Sequence, residues 1–152
     1  MLLSIRNTFE DRELPALYEI ERDCFTKEFR WAEPVFKKEM VEAREKHLVW
    51  VATIGTRIAG FLIAGEVTGG GINIETCNVS HVHRRKGIAS KLILECEKAV
   101  KQRGCGEMRL EVHTENPAQV LYFQLGYRVC GFKRNYYGSK KHAISMLKTV
   151  IV

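Results

Sequence analysis

The stretch Val79-Ser80-His81-Val82-His83-Arg84-Arg85-Lys86-Gly87-Ile88-Ala89-Ser90 decides how the rest of the chain is interpreted. It follows an apolar run, 72–79, that is typical of a strand, and it precedes residues 90–103, whose apolar spacing predicts an amphipathic helix closed by Gly104. The first N–H groups of a helix have no partner within the helix, and the helix dipole attracts anions to them. A strand, a basic loop and a helix in this order therefore favour a phosphorylated partner.

The residues of this loop fit such a partner but do not require it. Gly87 lets the backbone approach a bulky anion, and Ala89 keeps the next outward position small. The consecutive cations 84–86 add positive charge where a pyrophosphate would lie. Neither the Walker motif nor the dinucleotide fingerprint is present. A solvated helix start with a sharp turn is the alternative that these residues leave open.

Length and composition indicate one ordinary globular domain, covering residues 1–152. The 152 residues are 45% hydrophobic and 28% charged, and such a chain can bury a sizeable core. No apolar run reaches the roughly 18 residues of a membrane span, and residues 1–6 lack a signal-peptide layout, so we expect a cytoplasmic protein that binds no membrane. Five widely spaced cysteines, without a C-x-x-C pair, favour free thiols.

The charge balance is basic. Twenty-four Lys and Arg against eighteen Asp and Glu give a net charge of +6, which favours an anionic partner such as a nucleotide, RNA or an acidic protein. The basic runs Lys133-Arg134 and Lys140-Lys141-His142 are compatible with RNA binding or with a solvated face. Because the sequence has no basic-aromatic RNP pattern, we do not expect a nucleic-acid partner.

Periodicity and turn residues predict an α/β domain with the order β-α-α-β-β-β-α-β-α-β-β. We expect a helix over 10–24 capped by Thr8, a second helix opened by Pro34, and a strand over 108–113 parallel to that over 72–79. The other predicted elements are strands over 2–6, 47–54, 58–67, 127–132 and 142–148 and a short helix over 118–124.

Two groups of residues resemble the GNAT superfamily of N-acetyltransferases. The pattern Arg84-x-x-Gly87-x-Ala89 is similar to the acetyl-CoA pyrophosphate loop, Q/R-x-x-G-x-G/A. Leu110-Glu111-Val112, Asn116 and Leu121-Tyr122-x-x-Leu125-Gly126-Tyr127 resemble the L-E-V…N…L-Y…L-G-F signature of RimI-like N-terminal acetyltransferases. The resemblance covers nearly the whole chain, although the segment from Asn116 to Tyr122 is one residue shorter than the pattern.

The resemblance implies a GNAT fold, with a mixed, mostly antiparallel sheet whose central parallel pair splays around the cofactor and is flanked by helices. It implies acetyl-CoA as cosubstrate and no metal. Main-chain groups of residues 77–79 would bind the pantetheine amides, and the Val79 N–H would polarise the thioester carbonyl. The cofactor-binding residues implied are Cys77, Asn78, Val79, Arg84, Arg85, Lys86, Gly87, Ile88, Ala89, Ser90, Asn116 and Tyr122.

For catalysis, the resemblance implies Glu111 as the base that deprotonates the amine, directly or through water, and Tyr122 as the acid for the departing sulfur. Glu75 is a rival base, because it shares strand parity with Cys77 and Val79. Glu111 as a solvent-facing strand residue and Tyr122 as a core aromatic are the structural alternatives.

Two other chemistries are not expected. His81, His83 and His113 suggest a metal, but no carboxylate or thiol lies beside them at ligand spacing. Cys77 as a nucleophile does not agree with the resemblance, which implies direct transfer.

The predicted function is transfer of acetyl from acetyl-CoA to a primary amine, with the N-terminal α-amino group of a protein as the expected acceptor. Phe29, Trp31 and the Tyr136-Tyr137 segment would border the acceptor site. The alternatives are acetylation of a small amine (polyamine, amino acid or aminoglycoside) and a non-catalytic CoA- or RNA-binding module. We expect a monomer or a homodimer.

Overall fold

The computed structural model describes residues 2–27 and 29–150. Within these residues the strands are β1 Leu3–Arg6, β2 Val49–Ile54, β3 Arg57–Glu66, β4 Ile72–Val79, β5 Glu107–His113, β6 Arg128–Lys133 and β7 Ala143–Thr149. The α-helices are α1 Leu14–Cys24, α2 Glu33–Glu45, α3 Ile88–Gln102 and α4 Ala118–Gln124. Two 3-10 turns, Asp11–Glu13 and His81–His83, complete the regular structure of the described residues.

The strands form one sheet in the order β1-β2-β3-β4-β5-β7-β6. Its β4–β5 pair is parallel, with Ile72 opposite Met108 and Ile74 opposite Leu110, and this register comprises three residue pairs. The pairs β1–β2, β2–β3, β5–β7 and β6–β7 are antiparallel. This arrangement confirms the predicted α/β class and the predicted parallel pair. The placement of β7 between β5 and β6 was not predicted.

The observed elements agree with the predicted ones to within one or two residues, except at the start of α1. The cap predicted at Thr8 is wrong. Instead, the Glu10 N–H donates to the Glu13 carboxylate at 2.8 Å, and a 3-10 turn precedes α1. Helix α3 begins at Ile88, two residues before the predicted start. Val35, in the first turn of α2, is exposed.

Contacts divide the chain into two compact units, of which the first comprises Met1–Ala64 and Thr76–Cys96. Its core is apolar and includes side chains from α1, α2, β2 and β3. Phe36 is completely buried, with its ring centroid 5.1 Å from that of Tyr18 and 5.7 Å from that of Phe61. These contacts fix α1 and α2 to strand β3.

The second unit comprises Gly65–Glu75 and Glu97–Val152. Strand β7 pairs with β5 from Glu107↔Thr149 to His113↔Ala143. Strand β6 pairs with the other edge of β7, and the register shifts between Val129 and Gly131. Tyr127 is the largest fully buried side chain of this unit. The unit therefore combines a three-stranded antiparallel segment with the first residues of β4 and the end of α3.

Candidate active site

The basic loop of the first unit ends at a helix N-terminus. Arg85 and Gly87 have φ angles of +62° and +75°, and the Lys91 N–H donates to the Gly87 carbonyl at 3.2 Å as α3 begins. The N–H groups of residues 88–90 come before that bond and have no acceptor within the helix. A Cβ built on Gly87 would meet nothing within 4 Å, so the protein itself leaves this backbone open.

Hydrogen bonds fix the start of this loop to α1 and β3. The Ser80 N–H donates to the Ala59 carbonyl at 2.8 Å, and the Ser80 hydroxyl lies 3.0 Å from Nδ1 of His83. The other histidine of the turn, His81, places Nε2 3.0 Å from the Asp23 carbonyl. Both histidines of the H-x-H segment thus have local structural partners.

The three cations of the loop are not equivalent. Arg84 turns back to the end of β4, where Nε donates to the Val79 carbonyl at 3.1 Å and Nη2 lies 3.4 Å from Sγ of Cys24. The side chains of Arg85 and Lys86 are exposed, and they form no ion pair or hydrogen bond with the described part of the chain. Arg85 and Lys86 are therefore available to an anion, whereas Arg84 already stabilises the loop.

The end of β4 is held by a buried carboxylate that the sequence interpretation missed. Glu21 of α1 accepts hydrogen bonds from the Asn78 amide at 2.8 Å and from the Trp31 N–H at 3.1 Å. Both Glu21 and Asn78 are 2% exposed. Burial raises the pKa of Glu21, and its hydrogen bonds with Trp31 and Asn78 oppose that rise. The position of this glutamate among the apolar residues of α1 was the sequence signal that could have predicted its burial.

Gly60 is a second residue that the sequence interpretation missed. A Cβ at this position would lie 2.5 Å from the Asn78 carbonyl oxygen and 3.3 Å from Cα of Val79. Glycine inside a strand marks a close backbone approach, and here the approach places β3 against the predicted cofactor-binding residues.

The thiols near the end of β4 are not activated. Burial, together with the neighbouring Cys24, raises the pKa of Cys77 to about 12. Cys24 donates from Sγ to the Val79 carbonyl at 3.3 Å, and burial raises its pKa as well. Since the thiolate is the nucleophilic form, neither cysteine is poised to attack a thioester.

The second unit contains a cavity of about 360 Å³ on the face that β4 and β5 share. Asn73 pairs with Arg109 in the parallel register, and two residues further along each strand stand Glu75 and Glu111. The lining residues are Glu66, Val67, Thr68, Asn73, Glu75, Arg109, Glu111, Cys130, Lys133, Ser145 and Met146. Three carboxylates and two cations therefore face one concave surface.

Both candidate bases line this cavity, but in different surroundings. The side chain of Glu111 is 14% exposed and its Oε1 lies 3.4 Å from Nζ of Lys133. Glu75 is exposed, and its Oε1 lies 2.6 Å from the position that a Cβ on Gly65 would occupy. Glu111 is thus not the solvent-facing strand residue of the structural alternative.

Two tyrosines from the β6–β7 connection lie beside Glu111. The Tyr137 hydroxyl donates to the Glu111 carbonyl at 3.2 Å, and burial raises the pKa of Tyr137 to about 12. The ring of Tyr136 packs edge-on against that of Tyr137, with 4.9 Å between centroids. Burial, followed by the charge of Glu111, raises the pKa of Tyr136. Both phenols are therefore neutral near neutral pH.

The candidate acid Tyr122 lies on α4 in the same unit and is half-buried. Its ring packs edge-on against that of Tyr127, with centroids 6.3 Å apart and an interplanar angle of 69°. Its carbonyl accepts the Tyr127 N–H at 3.0 Å. Tyr122 thus has an aromatic packing role in this unit.

Asn116 has a structural role in the described chain. Its Oδ1 accepts the Ala118 N–H at 2.9 Å, and its N–H donates to the His113 carbonyl at 2.9 Å. These bonds cap the start of α4 in a way that asparagine favours. The amide therefore orients the helix that carries Tyr122.

No group of three His, Cys, Asp or Glu side chains suited to a metal ion occurs in the described part of the chain. Of the helices described, each is too short or too polar to cross a lipid bilayer.

The sequence profile described as "Acetyltransferase (GNAT) family" matches residues 14–127, three quarters of the chain. The chain belongs to this family. It is accordingly an acetyltransferase enzyme, as the loop and the L-E-V…L-Y…L-G-Y signature predicted. Among curated proteins, no sequence matches the chain significantly.

Solved structures agree with this assignment. The ribosomal-protein-S18-alanine N-acetyltransferase from Escherichia coli is 26% identical, over 99% of this chain and 96% of that one, with a TM-score of 0.85. Ard1 from Thermoplasma volcanium is 21% identical with full coverage of both chains and a TM-score of 0.90. yncA from Salmonella typhimurium, solved with acetyl-CoA, is 17% identical over 97% and 94% of the chains, with a TM-score of 0.79. The predicted family and fold are confirmed.

Proposed function

We propose that this protein uses acetyl-CoA to acetylate the N-terminal α-amino group of a protein or peptide. For the cofactor, the supporting observation is the loop that precedes α3, where residues 88–90 present N–H groups and Arg85 and Lys86 present exposed positive charge. The yncA structure, which shares the fold, contains acetyl-CoA. Arg84 and Gly87 would shape this loop, the former through the Val79 carbonyl and the latter through its positive φ.

The observation that carries the proposed acceptor class is the mixed-charge cavity containing Glu111. A peptide N-terminus presents an ammonium group followed by amides and side chains, and a cavity with both carboxylates and cations matches that mixture. The neutral hydroxyls of Tyr136 and Tyr137 border Glu111 and are suited to backbone amides. The relative that is 26% identical acetylates an alanine of a ribosomal protein.

The reaction would proceed by direct transfer. Glu111, directly or through water, takes a proton from the acceptor ammonium group, and the amine nitrogen then attacks the thioester carbon. A C–N bond forms, the C–S bond breaks, and Tyr122 donates its proton to the departing thiolate. The second proton that the nitrogen loses on becoming an amide would return to the Tyr122 phenolate through water. The Val79 N–H would stabilise the oxyanion. The high pKa of Cys77 supports this scheme, because a protonated thiol does not form an acyl-enzyme.

A test compares peptides that differ only at the N-terminus. The protein is incubated with acetyl-CoA and either a free peptide or the same peptide formylated at its α-amino group, and CoA thiol release and peptide mass are measured. We expect acetylation of the free peptide alone. Acetylation of both peptides at an internal lysine would contradict α-amino specificity, and release with neither peptide but with a small amine would contradict the protein acceptor.

A small-amine acceptor is the second candidate, because three carboxylates line the cavity. Polyamines carry several ammonium groups, and carboxylates attract them. The two cations of the same lining, Arg109 and Lys133, oppose a polycation, which is why the peptide is preferred. Polyamines, amino acids and aminoglycosides belong in the same assay as competing acceptors.

A further inference from the structure

A second buried carboxylate, Glu97, lies in the second unit, and nothing in the proposed chemistry uses it. Glu97 is 4% exposed, and both of its oxygens are engaged. Oε2 accepts the Tyr127 hydroxyl at 3.0 Å, and Oε1 lies 2.8 Å from Nζ of Lys148. Buried charges require partners of this kind, so the three side chains form a single polar network inside an otherwise apolar region.

Lys148 connects this network to the end of α4. Its ammonium group donates to the carbonyl of Leu125 at 2.7 Å. Leu125 is the C-cap of α4, the helix that carries Tyr122. Cations stabilise helix C-termini, where carbonyls lack helical partners. A Cβ on Gly126 would lie 3.3 Å from Cε of Lys148, and Gly126 has a φ of +100°. Glycine at this position thus leaves room for the lysine stem.

Tyr127 connects the network to Tyr122 by a second route. The two rings pack edge-on, with 6.3 Å between centroids, and the Tyr127 N–H donates to the Tyr122 carbonyl at 3.0 Å. Tyr127 is completely buried, and its hydroxyl also approaches Sδ of Met108 at 3.6 Å. The orientation of its ring, and hence the surface against which the Tyr122 ring rests, depends on the hydrogen bond to Glu97.

We propose that Glu97, acting through Lys148 and Tyr127, positions Tyr122 to protonate the departing thiolate. This inference rests on the proposed function, since it assigns a support to the acid named there. Glu97 is a positioning residue and not a catalytic one. A purely structural buried ion pair is the competing explanation, and it predicts lost stability without a specific loss of turnover.

The test uses two variants of the network, each made alone and combined with Tyr122→Phe. Lys148→Met keeps the apolar stem and removes the ammonium group. Tyr127→Phe keeps the ring contact and removes the bond to Glu97. For each protein, kcat, the KM for acetyl-CoA and the thermal midpoint are measured, with Lys148→Arg as the conservative rescue.

We expect Lys148→Met to lower kcat by roughly tenfold to a hundredfold, as for a small misplacement of a catalytic group, with the KM for acetyl-CoA near its original value. Tyr127→Phe should have a smaller effect of the same kind, and Lys148→Arg should retain most of the turnover. In the Tyr122→Phe background neither change should lower kcat further, because the group that they position is absent.

The matched control is Val100→Ala, which removes buried apolar atoms from the same helix, α3, and leaves the three side chains of the network unchanged. It should lower the thermal midpoint and leave kcat intact. The inference is overturned if Lys148→Met and Tyr127→Phe leave kcat unchanged, if their losses persist in the Tyr122→Phe background, or if Val100→Ala lowers kcat equally. If Lys148→Met does not fold, the kcat of Tyr127→Phe decides whether the inference stands. Full activity of Tyr122→Phe alone would instead refute the proposed acid, and the inference with it.

Discussion

The loop of the first unit and the cavity of the second unit present opposite kinds of polar group. The loop offers backbone N–H groups and the exposed cations Arg85 and Lys86, whereas the cavity offers carboxylates bordered by neutral phenols. N–H groups and cations bind anions, while carboxylates and phenols accept and donate protons. The difference indicates that changes in the loop should alter cofactor affinity, and changes in the cavity should alter turnover.

The largest expected effect is on turnover in the second unit. Glu111→Gln removes the proposed base and should lower kcat by roughly 10²- to 10⁴-fold, the usual contribution of general base catalysis. The KM for acetyl-CoA should change little. Steady-state kinetics with a free-amine peptide at several pH values would measure both, with circular dichroism to confirm folding.

Two further glutamines at the same cavity make this test specific. Glu75→Gln removes the rival base, and Glu66→Gln removes an exposed carboxylate of the same lining. We expect both to reduce kcat by far less than Glu111→Gln does. A reversed order, with Glu75→Gln the most damaging, would transfer the role of base to Glu75. Equal losses from all three would mean that the cavity acts only through its summed charge.

The next effect concerns cofactor affinity in the first unit. Gly87→Val forces a β-branched residue into a φ of +75°, which costs roughly 1–2 kcal/mol, and it places a side chain where the pyrophosphate would approach. Acetyl-CoA should bind about tenfold or more weakly, with kcat at saturation retained. Isothermal titration calorimetry and saturation kinetics would measure the two quantities.

Gly104 provides the matched control, because it has a φ of +77° and equally open surroundings at the other end of α3. Gly104→Val should incur a similar backbone strain and leave acetyl-CoA affinity near its original value. If Gly104→Val weakens binding as much as Gly87→Val, the effect is one of folding, and the division between a binding loop and a catalytic cavity fails.

The sequence predicted the strands and helices, and their order along the chain, better than it predicted the contacts that fix the site. Strand β4 and helix α4 have the predicted bounds because hydrophobic runs and Pro117 mark them clearly. The split start of α1 was missed, since a carboxylate of the first turn, Glu13, replaced the expected cap at Thr8. The position of β7 beside β5 depends on long-range pairing that no local pattern encodes.

For the site, sequence motifs predicted the loop and the L-E-V strand. The residues that support them were found only in the structure. Glu21 and Glu97 occupy helix positions that a pattern treats as polar and solvated, yet both are buried with partners distant in sequence. Arg84 appeared equivalent to Arg85 in the sequence, but its guanidinium group is turned to the Val79 carbonyl. Such differences arise from tertiary packing, which single-residue propensity does not contain.

The non-equivalence of the loop cations yields a smaller prediction. Arg85→Ala should weaken acetyl-CoA binding about two- to fivefold, as for one exposed charge contact, and the loss should diminish at high salt. Arg84→Ala should instead lower the thermal midpoint, because the Val79 carbonyl loses one of its two side-chain donors, Arg84, and keeps only Cys24. Calorimetry at two salt concentrations and thermal melts would separate the two. An equal, salt-sensitive loss of binding from both variants would return Arg84 to the group of anion-binding cations.

The smallest expected effect is a pH dependence of stability that arises from Glu21. Burial raises the pKa of Glu21 above its ordinary value of 4.5, so the native state holds this proton more tightly than the unfolded chain does. The contribution of Glu21 to stability is therefore fully present below pH 4.5 and declines as pH rises through the raised pKa. Glu21→Gln should abolish that decline. It should also add a pH-independent cost of about 1 kcal/mol for one lost acceptor.

Urea unfolding of wild type and Glu21→Gln from pH 4 upward measures this directly. The wild-type free energy of unfolding minus that of the variant should fall with rising pH and then level. Glu97→Gln is the informative comparison. The Glu97 carboxylate pairs with the Lys148 ammonium group at 2.8 Å, whereas Glu21 accepts its hydrogen bonds from the uncharged Asn78 amide and Trp31 N–H and is influenced by the charge of Arg30. A constant difference for Glu21→Gln would show that the hydrogen bonds of Glu21 offset burial completely, and the pH dependence assigned to this carboxylate would be wrong.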